Sequence, residues 1–116
     1  NADFDDIPLT IIQNENSASA SEILAGALKD RGRAKVVGTQ SFGKGVVQKI
    51  FNLQNGAGAK ITISEYFTPN GTQINKVGVT PDIEVEAEED FDISKKDLAN
   101  DKQFVYALNE LLEEIK

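Results

Sequence analysis

The chain has 116 residues, 40% hydrophobic, 27% charged and 7% aromatic, the balance of one globular domain or a large part of one. Its net charge of −7 comes without any basic cluster, which argues against a nucleic-acid partner, and no apolar run reaches membrane-spanning length. It contains no histidine and no cysteine, so a Ser-His-Asp triad, a Cys-His pair, disulfides and thiolate metal sites cannot be built within it.

Asn1 to Asp6 is acidic and is expected to fray. Ile7 to Gln13 is a short apolar run with β-branched residues, read as a buried strand with Pro8 near its start. A helix follows from about Ala20 to Asp30. Ala20, Ile23, Leu24, Ala27 and Leu28 are its expected buried stripe, and Gly32 its stop. Lys35 to Gly38 supplies a second strand. Strand, helix and strand at this spacing predict a βαβ unit, parallel and right-handed. The end of the first strand and the start of the helix then share one sheet edge, where α/β folds hold ligands.

Val46 to Leu53 and Ala59 to Phe67 read as strands joined by Gln54-Asn55-Gly56-Ala57-Gly58, a β-hairpin. If the extended segment begins at Lys44, residues 44, 46 and 48 share one face. Glu65 interrupts the apolar alternation of Ile61, Ile63 and Phe67 and is read as a strand-end charge facing solvent. Thr68-Pro69-Asn70-Gly71 is a turn. Thr80-Pro81-Asp82 leads into a short strand over Ile83-Glu84-Val85, with Asp82 in a turn or hydrogen-bonding role. The acidic run Glu86 to Asp92 lacks the glycine and spacing of a calcium loop and reads as a solvated linker. The last helix runs from about Asp101 to Glu114 with Asn100 as N-cap. Its apolar face is Phe104, Val105, Leu108, Leu111, Leu112 and Ile115, expected to pack on the chain's own domain.

Two groups carry potential chemistry. Ser19 followed by Glu22 fits a capping box, which is what most such patterns are. The same geometry exposes a hydroxyl at a strand-to-helix turn and aims helix N–H groups at a developing oxyanion. Without histidine, lysine is the base that remains. Lys44 lies between Gly43 and Gly45, with Phe42 and Val46 available as an apolar wall. Gly-Lys-Gly is either a solvated turn or the seat of a lysine whose charge is suppressed by burial.

The run Asn14 to Ile23, Gly32-Arg33-Ala34, Gly38, Phe42-Gly43-Lys44-Gly45 with Gln48, Tyr66 to Gly71 and Gly78 to Ile83 resembles the carboxy-terminal processing peptidases, or tail-specific proteases. The resemblance covers roughly residues 7 to 86. Each motif alone is weakly specific; their order and spacing together are specific. The family consists of Ser/Lys-dyad serine proteases. The resemblance implies Ser19 as nucleophile, in preference to Ser17 or Ser21, and Lys44 as general base. It implies Gln48 as the residue that helps place the lysine and the Ala20 N–H as an oxyanion donor. Asn16 stands where the family usually has glycine, and asparagine tolerates left-handed conformations.

The implied fold is an α/β core of the crotonase/Clp-protease type with a βαβ unit, a β-hairpin and a C-terminal helix. Residues 1–86 would be part of the protease core, and 87–116 an acidic linker plus a helix packing on it. The implied activity is that of a serine endopeptidase cleaving proteins near their C-terminal tails, without metal or cofactor. The implied partners are protein or peptide substrates with accessible tails, and a homo-oligomer is compatible with the family. The implied location is the extracytoplasmic side of a bacterial cell envelope. The family's PDZ domain and the glycine turn that gives a second oxyanion donor are not in these residues. The chain is therefore expected to be the C-terminal part of a longer protease and inactive alone. Two other readings stand beside this one. In one the fold is a non-catalytic tail-binding or oligomerisation module, with Ser19 only a cap; in the other it is another enzyme on a crotonase-like scaffold.

Overall fold

The computed structural model describes residues 5–88, Ser94 and 97–116. The first four residues of the expected frayed start and residues 89–92 of the acidic run lie outside these. The described chain begins with β1 (Thr10–Gln13), α1 (Ala20–Asp30) and β2 (Lys35–Gly38). β1 and β2 pair in parallel, Thr10 opposite Lys35 and Gln13 opposite Gly38. β5 (Ile83–Glu84) pairs in parallel with the other edge of β2, giving the order β1-β2-β5. The central position of β2 explains its composition: Val36 and Val37 point to opposite faces and both are fully buried. β1 is shorter than the apolar run suggested. Its ladder starts at Thr10 because the partner strand starts at Lys35, and Pro8 has no N–H to extend it.

The limits of α1 are those the sequence predicts. It ends in a Schellman turn, with Gly32 N–H donating to Lys29 O and Arg33 N–H to Leu28 O, both at 2.9 Å. Its buried face is not the expected one. Glu22, Ala25 and Gly26 are buried, whereas Leu24 is 61% exposed and Ala20 is exposed. At 3.6 residues per turn these two sets lie on nearly opposite sides of the helix. The small, polar side is buried because the segments around Ser41 and Thr68 close over it.

β3 (Val46–Asn52) and β4 (Gly58–Glu65) form the antiparallel hairpin, with a register shift between Val47 and Gln48. Apart from Ala59, every residue from Gln48 to Phe67 is exposed. Asp82 has a hydrogen-bonding role: Oδ2 accepts from Val36 N–H, and Asp82 N–H donates to Val36 O, each at 2.7 Å. It thereby extends the β2 ladder just ahead of β5.

α2 (Lys102–Ile115) lies against β1 and β2. Ala107 packs with Val37, Val85 and Ile83, and Gln103 Nε2 donates to Val85 O at 2.8 Å. Its N-cap is Asp101, not Asn100: Asp101 Oδ1 accepts from Phe104 N–H at 3.1 Å, while Asn100 closes the preceding 3-10 turn and bonds Asp97. Of the expected apolar face, Phe104, Val105 and Leu111 are half-buried and Leu108, Leu112 and Ile115 are exposed.

Candidate active site

The site begins where β1 ends. Asn14 starts a tight turn: Asn16 N–H bonds its Oδ1 at 2.9 Å and Ser17 N–H its carbonyl at 2.9 Å. The chain then enters α1 through Ser19, whose φ is 57° and ψ −118°. A non-glycine residue there stores about 1–3 kcal/mol and persists only where its surroundings over-determine it. Those surroundings are visible. Ser19 N–H donates to Glu22 Oε2 at 2.9 Å, and Ser19 O accepts from Glu22 N–H at 3.0 Å and Ile23 N–H at 3.1 Å. The Ser19 hydroxyl stands in capping-box position but makes no cap hydrogen bond of its own. The residue is exposed, and the Ala20 N–H next to it has no partner among the described residues. An exposed serine on a strained strand-to-helix turn, beside a free helix N–H, is the arrangement of a nucleophile elbow.

Glu22 does more than complete a capping box. It is fully buried. Oε1 accepts from Ser41 Oγ–H at 2.6 Å and Gly43 N–H at 2.5 Å. Oε2 accepts from Lys44 N–H at 2.9 Å as well as from Ser19. Burial pushes this carboxyl's pKa up, but the hydrogen bonds from Ser41, Lys44, Gly43 and Ser19 outweigh it and hold the group below its ordinary range. The amides of Ser19 and Lys44 therefore share one carboxylate oxygen and lie within two hydrogen-bond lengths of each other.

The loop that carries Lys44 is fixed on its other side too. Buried Ser41 accepts from Val79 N–H through Oγ at 2.7 Å, Phe42 N–H donates to Ser17 O at 2.9 Å and Lys76 N–H to Gly43 O at 2.8 Å. Gly43 has φ 91°, and a Cβ at Gly45 would stand 2.7 Å from Ile74 Cβ. Gly-Lys-Gly is thus no solvated turn: both glycines are buried and only Lys44 itself is exposed. Its ammonium has no ion pair among the described residues.

Gln48 is placed differently. The strand starts at Val46, not Lys44, so Lys44 lies ahead of the ladder; the register shift beside Val47 and Gln48 puts its extra residue, Ile63, on β4. Gln48 is exposed, and its Nε2 lies 3.5 Å from Thr62 Oγ1. The described structure therefore brings the backbone amides of Ser19 and Lys44 to one carboxylate, with Ala20 next to Ser19, and carries Gln48 on the exposed hairpin strand β3. Two supporting residues escaped the sequence reading. The bridging role of Glu22 and that of Ser41 depend on contacts between residues some twenty positions apart, which no local pattern reports. A cleft at the carboxyl ends of the parallel strands is lined by Glu15, Thr39, Gln40, Glu84 and Glu86, and includes neither Ser19 nor Lys44. No group of three or more Asp or Glu side chains among the described residues is arranged to hold a metal ion.

Residues 2–85 match peptidase family S41. A carboxyl-terminal-processing protease of Picosynechococcus sp. is 45% identical over 109 residues, which are 94% of this chain and 26% of that protein. Among solved structures, the photosystem II D1 C-terminal processing protease aligns with a TM-score of 0.65 at 47% identity, over 68% of this chain and 20% of that one. The tricorn protease aligns with a TM-score of 0.69 at 25% identity, over 92% of this chain and 10% of that one. The chain thus spans about a quarter or less of each of these proteins. The matched stretch contains the serine turn, the buried glutamate and the lysine loop, and on this evidence of sequence and fold together the chain belongs to peptidase family S41.

Proposed function

We propose that this chain carries the nucleophile and the base of a serine endopeptidase of the C-terminal processing type. The observation that carries the reading is the juxtaposition just described: a strained, exposed Ser19 and the loop of Lys44 tied to one buried carboxylate. Ser19 Oγ attacks the scissile carbonyl while neutral Lys44 Nζ takes the hydroxyl proton. The Ala20 N–H donates to the oxyanion. Lys44 then passes the proton to the leaving amine as the C–N bond breaks. Water attacks the acyl-enzyme as it gives a proton to Lys44, and Lys44 returns that proton to Ser19 Oγ as the ester bond breaks, restoring both groups. Gln48 is assigned, by resemblance, to placing the lysine.

A lysine acts as a base only when its charge is suppressed, which needs a dry surrounding. Lys44 is exposed here, so its cover is assigned to other parts of a longer protein or to the bound substrate. The isolated chain is accordingly expected to be inactive. The relatives are named as processing proteases of bacteria and chloroplasts, which supports protein substrates and, more loosely, an extracytoplasmic or lumenal setting. Exposure of Lys44 equally favours the second reading, a non-catalytic module on the same fold.

A serine-directed covalent probe on the full-length protein decides between them. Labelling at Ser19, with peptide hydrolysis abolished in Ser19→Ala and in Lys44→Ala, is the expected result. Absence of labelling, or turnover retained in either variant, would overturn the dyad.

A further inference from the structure

We propose that Glu22 is a positioning residue for this reaction: one buried carboxylate sets the Ser19 turn and the Lys44 loop in register, and so governs the chemical step rather than substrate binding. The inference rests on reading Ser19 and Lys44 as nucleophile and base.

An ordinary capping-box glutamate satisfies one N–H at the helix start and remains near solvent. Glu22 has no exposed surface, and only its bond from Ser19 is local. Its other donors, Ser41 Oγ–H, Gly43 N–H and Lys44 N–H, come from 19, 21 and 22 residues further along the chain. No cation pairs with it among the described residues, so hydrogen-bond donors alone balance its charge.

The pattern of donors also specifies the residue type. A carboxylate accepts at both oxygens. Each oxygen of Glu22 faces at least one backbone N–H, Gly43 at Oε1 and Ser19 with Lys44 at Oε2. A glutamine must therefore aim its own NH2 at a backbone donor in either orientation. An aspartate keeps the charge but is one methylene short. Loss of the bond to Ser19 N–H removes a constraint holding φ at 57°, and relaxation of that turn would move both Oγ and the Ala20 N–H. Loss of the bond to Lys44 N–H frees the base from the same reference point. One lesion thus misplaces both partners of a proton transfer, while no substrate-binding group is removed.

The test is steady-state peptide hydrolysis by the full-length protein, with probe labelling at Ser19 and thermal unfolding measured alongside. Glu22→Gln is expected to lose about a hundredfold in kcat, the scale of an ångström of misplacement, with KM changed by less than about threefold. Labelling at Ser19 should slow in parallel. Glu22→Asp, which restores the charge, should recover part of the loss. Ser41→Ala removes one donor to Oε1 and should lose about tenfold in kcat. A folded Glu22→Gln protein with the parent's kcat, or with its whole defect in KM, would overturn the proposal. If Glu22→Gln does not fold, Ser41→Ala decides, and the parent's kcat there would overturn it too. Inactive Ser19→Ala and Lys44→Ala beside a fully active Glu22→Gln would sink the role of Glu22 alone. Turnover in Ser19→Ala or Lys44→Ala would sink the dyad and this inference with it.

Discussion

Gly45→Ala adds one methyl group in the most confined part of the lysine loop. That carbon would lie 2.7 Å from Ile74 Cβ, 2.8 Å from Asn75 N and 2.9 Å from Ile74 Cγ2. Two of these neighbours are a backbone atom and a Cβ, and Ile74 is itself only 1% exposed, so no side-chain rotation makes room. The backbone of the loop or of the 74–75 segment must move. Overpacking of this kind costs about 1–3 kcal/mol. Gly45 does not have a positive φ, so the whole effect is steric. Movement of the loop also strains the Lys44 N–H bond to Glu22 and the Tyr66 N–H bond to Gly45 O at 2.6 Å. Turnover should fall together with stability. Gly58→Ala is the control, because its nearest neighbour would stand at 3.7 Å, an ordinary contact. Chemical denaturation and peptide hydrolysis of the full-length protein measure both consequences. A Gly45→Ala protein as stable and as active as the Gly58→Ala control would refute the reasoning, since the lysine loop would then not be clamped.

Ser19→Gly should be more stable than Ser19→Ala by about 1 kcal/mol, because glycine accepts φ 57° without strain and alanine does not; equal stabilities would show that the turn relaxes freely. Asp101→Ala should lose about 1 kcal/mol with the N-cap bond to Phe104 N–H, and Asn100→Ala clearly less; denaturation of the pair reverses the ranking if the cap is misassigned. The lowered pKa of Glu22 makes its contribution pH-dependent: below the ordinary value of 4.5 the unfolded chain binds more protons than the folded one. Stability from this group is therefore present above that value and lost as pH falls through the lower folded pKa. Glu22→Gln should flatten the acid limb of a stability-against-pH curve, and parallel curves would count against the charged carboxylate.

The parts of the fold that sequence made legible are those with local signals. α1 has the predicted limits because Ser19 and Glu22 mark its start and Gly32 its end. β2 is a short β-branched run next to charged and glycine residues, and the hairpin turns where Asn55-Gly56 invites it. Asn100 and Asp101 are both good caps, and only backbone geometry chooses between them. Apolar periodicity was the weaker guide. On α1 it selects Leu24, which is mostly exposed, and passes over Glu22, which has no exposed surface. In the hairpin Ile50 is 69% exposed, so an apolar residue on a strand face found no cover among the described residues. Hydrophobicity predicts burial only where a second surface exists to supply it.

The candidate site shows the same division between local and distant information. Ser19 and Lys44 came from resemblance, since an S-x-x-E cap and a Gly-Lys-Gly turn are each commonplace. Neither pattern tells whether a backbone is solvated or clamped. Ile74, Val79 and Glu22 resolve that ambiguity by their positions: Ile74 packs against Gly45, Val79 bonds Ser41, and Glu22 collects the amides of Ser19 and Lys44. Glu22 is the residue where the two kinds of information meet. Its spacing from Ser19 is a local signal for a helix start, and its burial follows from donors more than a helix length away in sequence. A cap that has been drawn into the interior by such donors has exchanged exposure to water for a fixed relation between two loops. Helix initiation alone would not require that exchange, because a solvated glutamate satisfies the Ser19 N–H as well. The relation it fixes, between a strained serine and a lysine loop, is the one that a proton transfer between them requires.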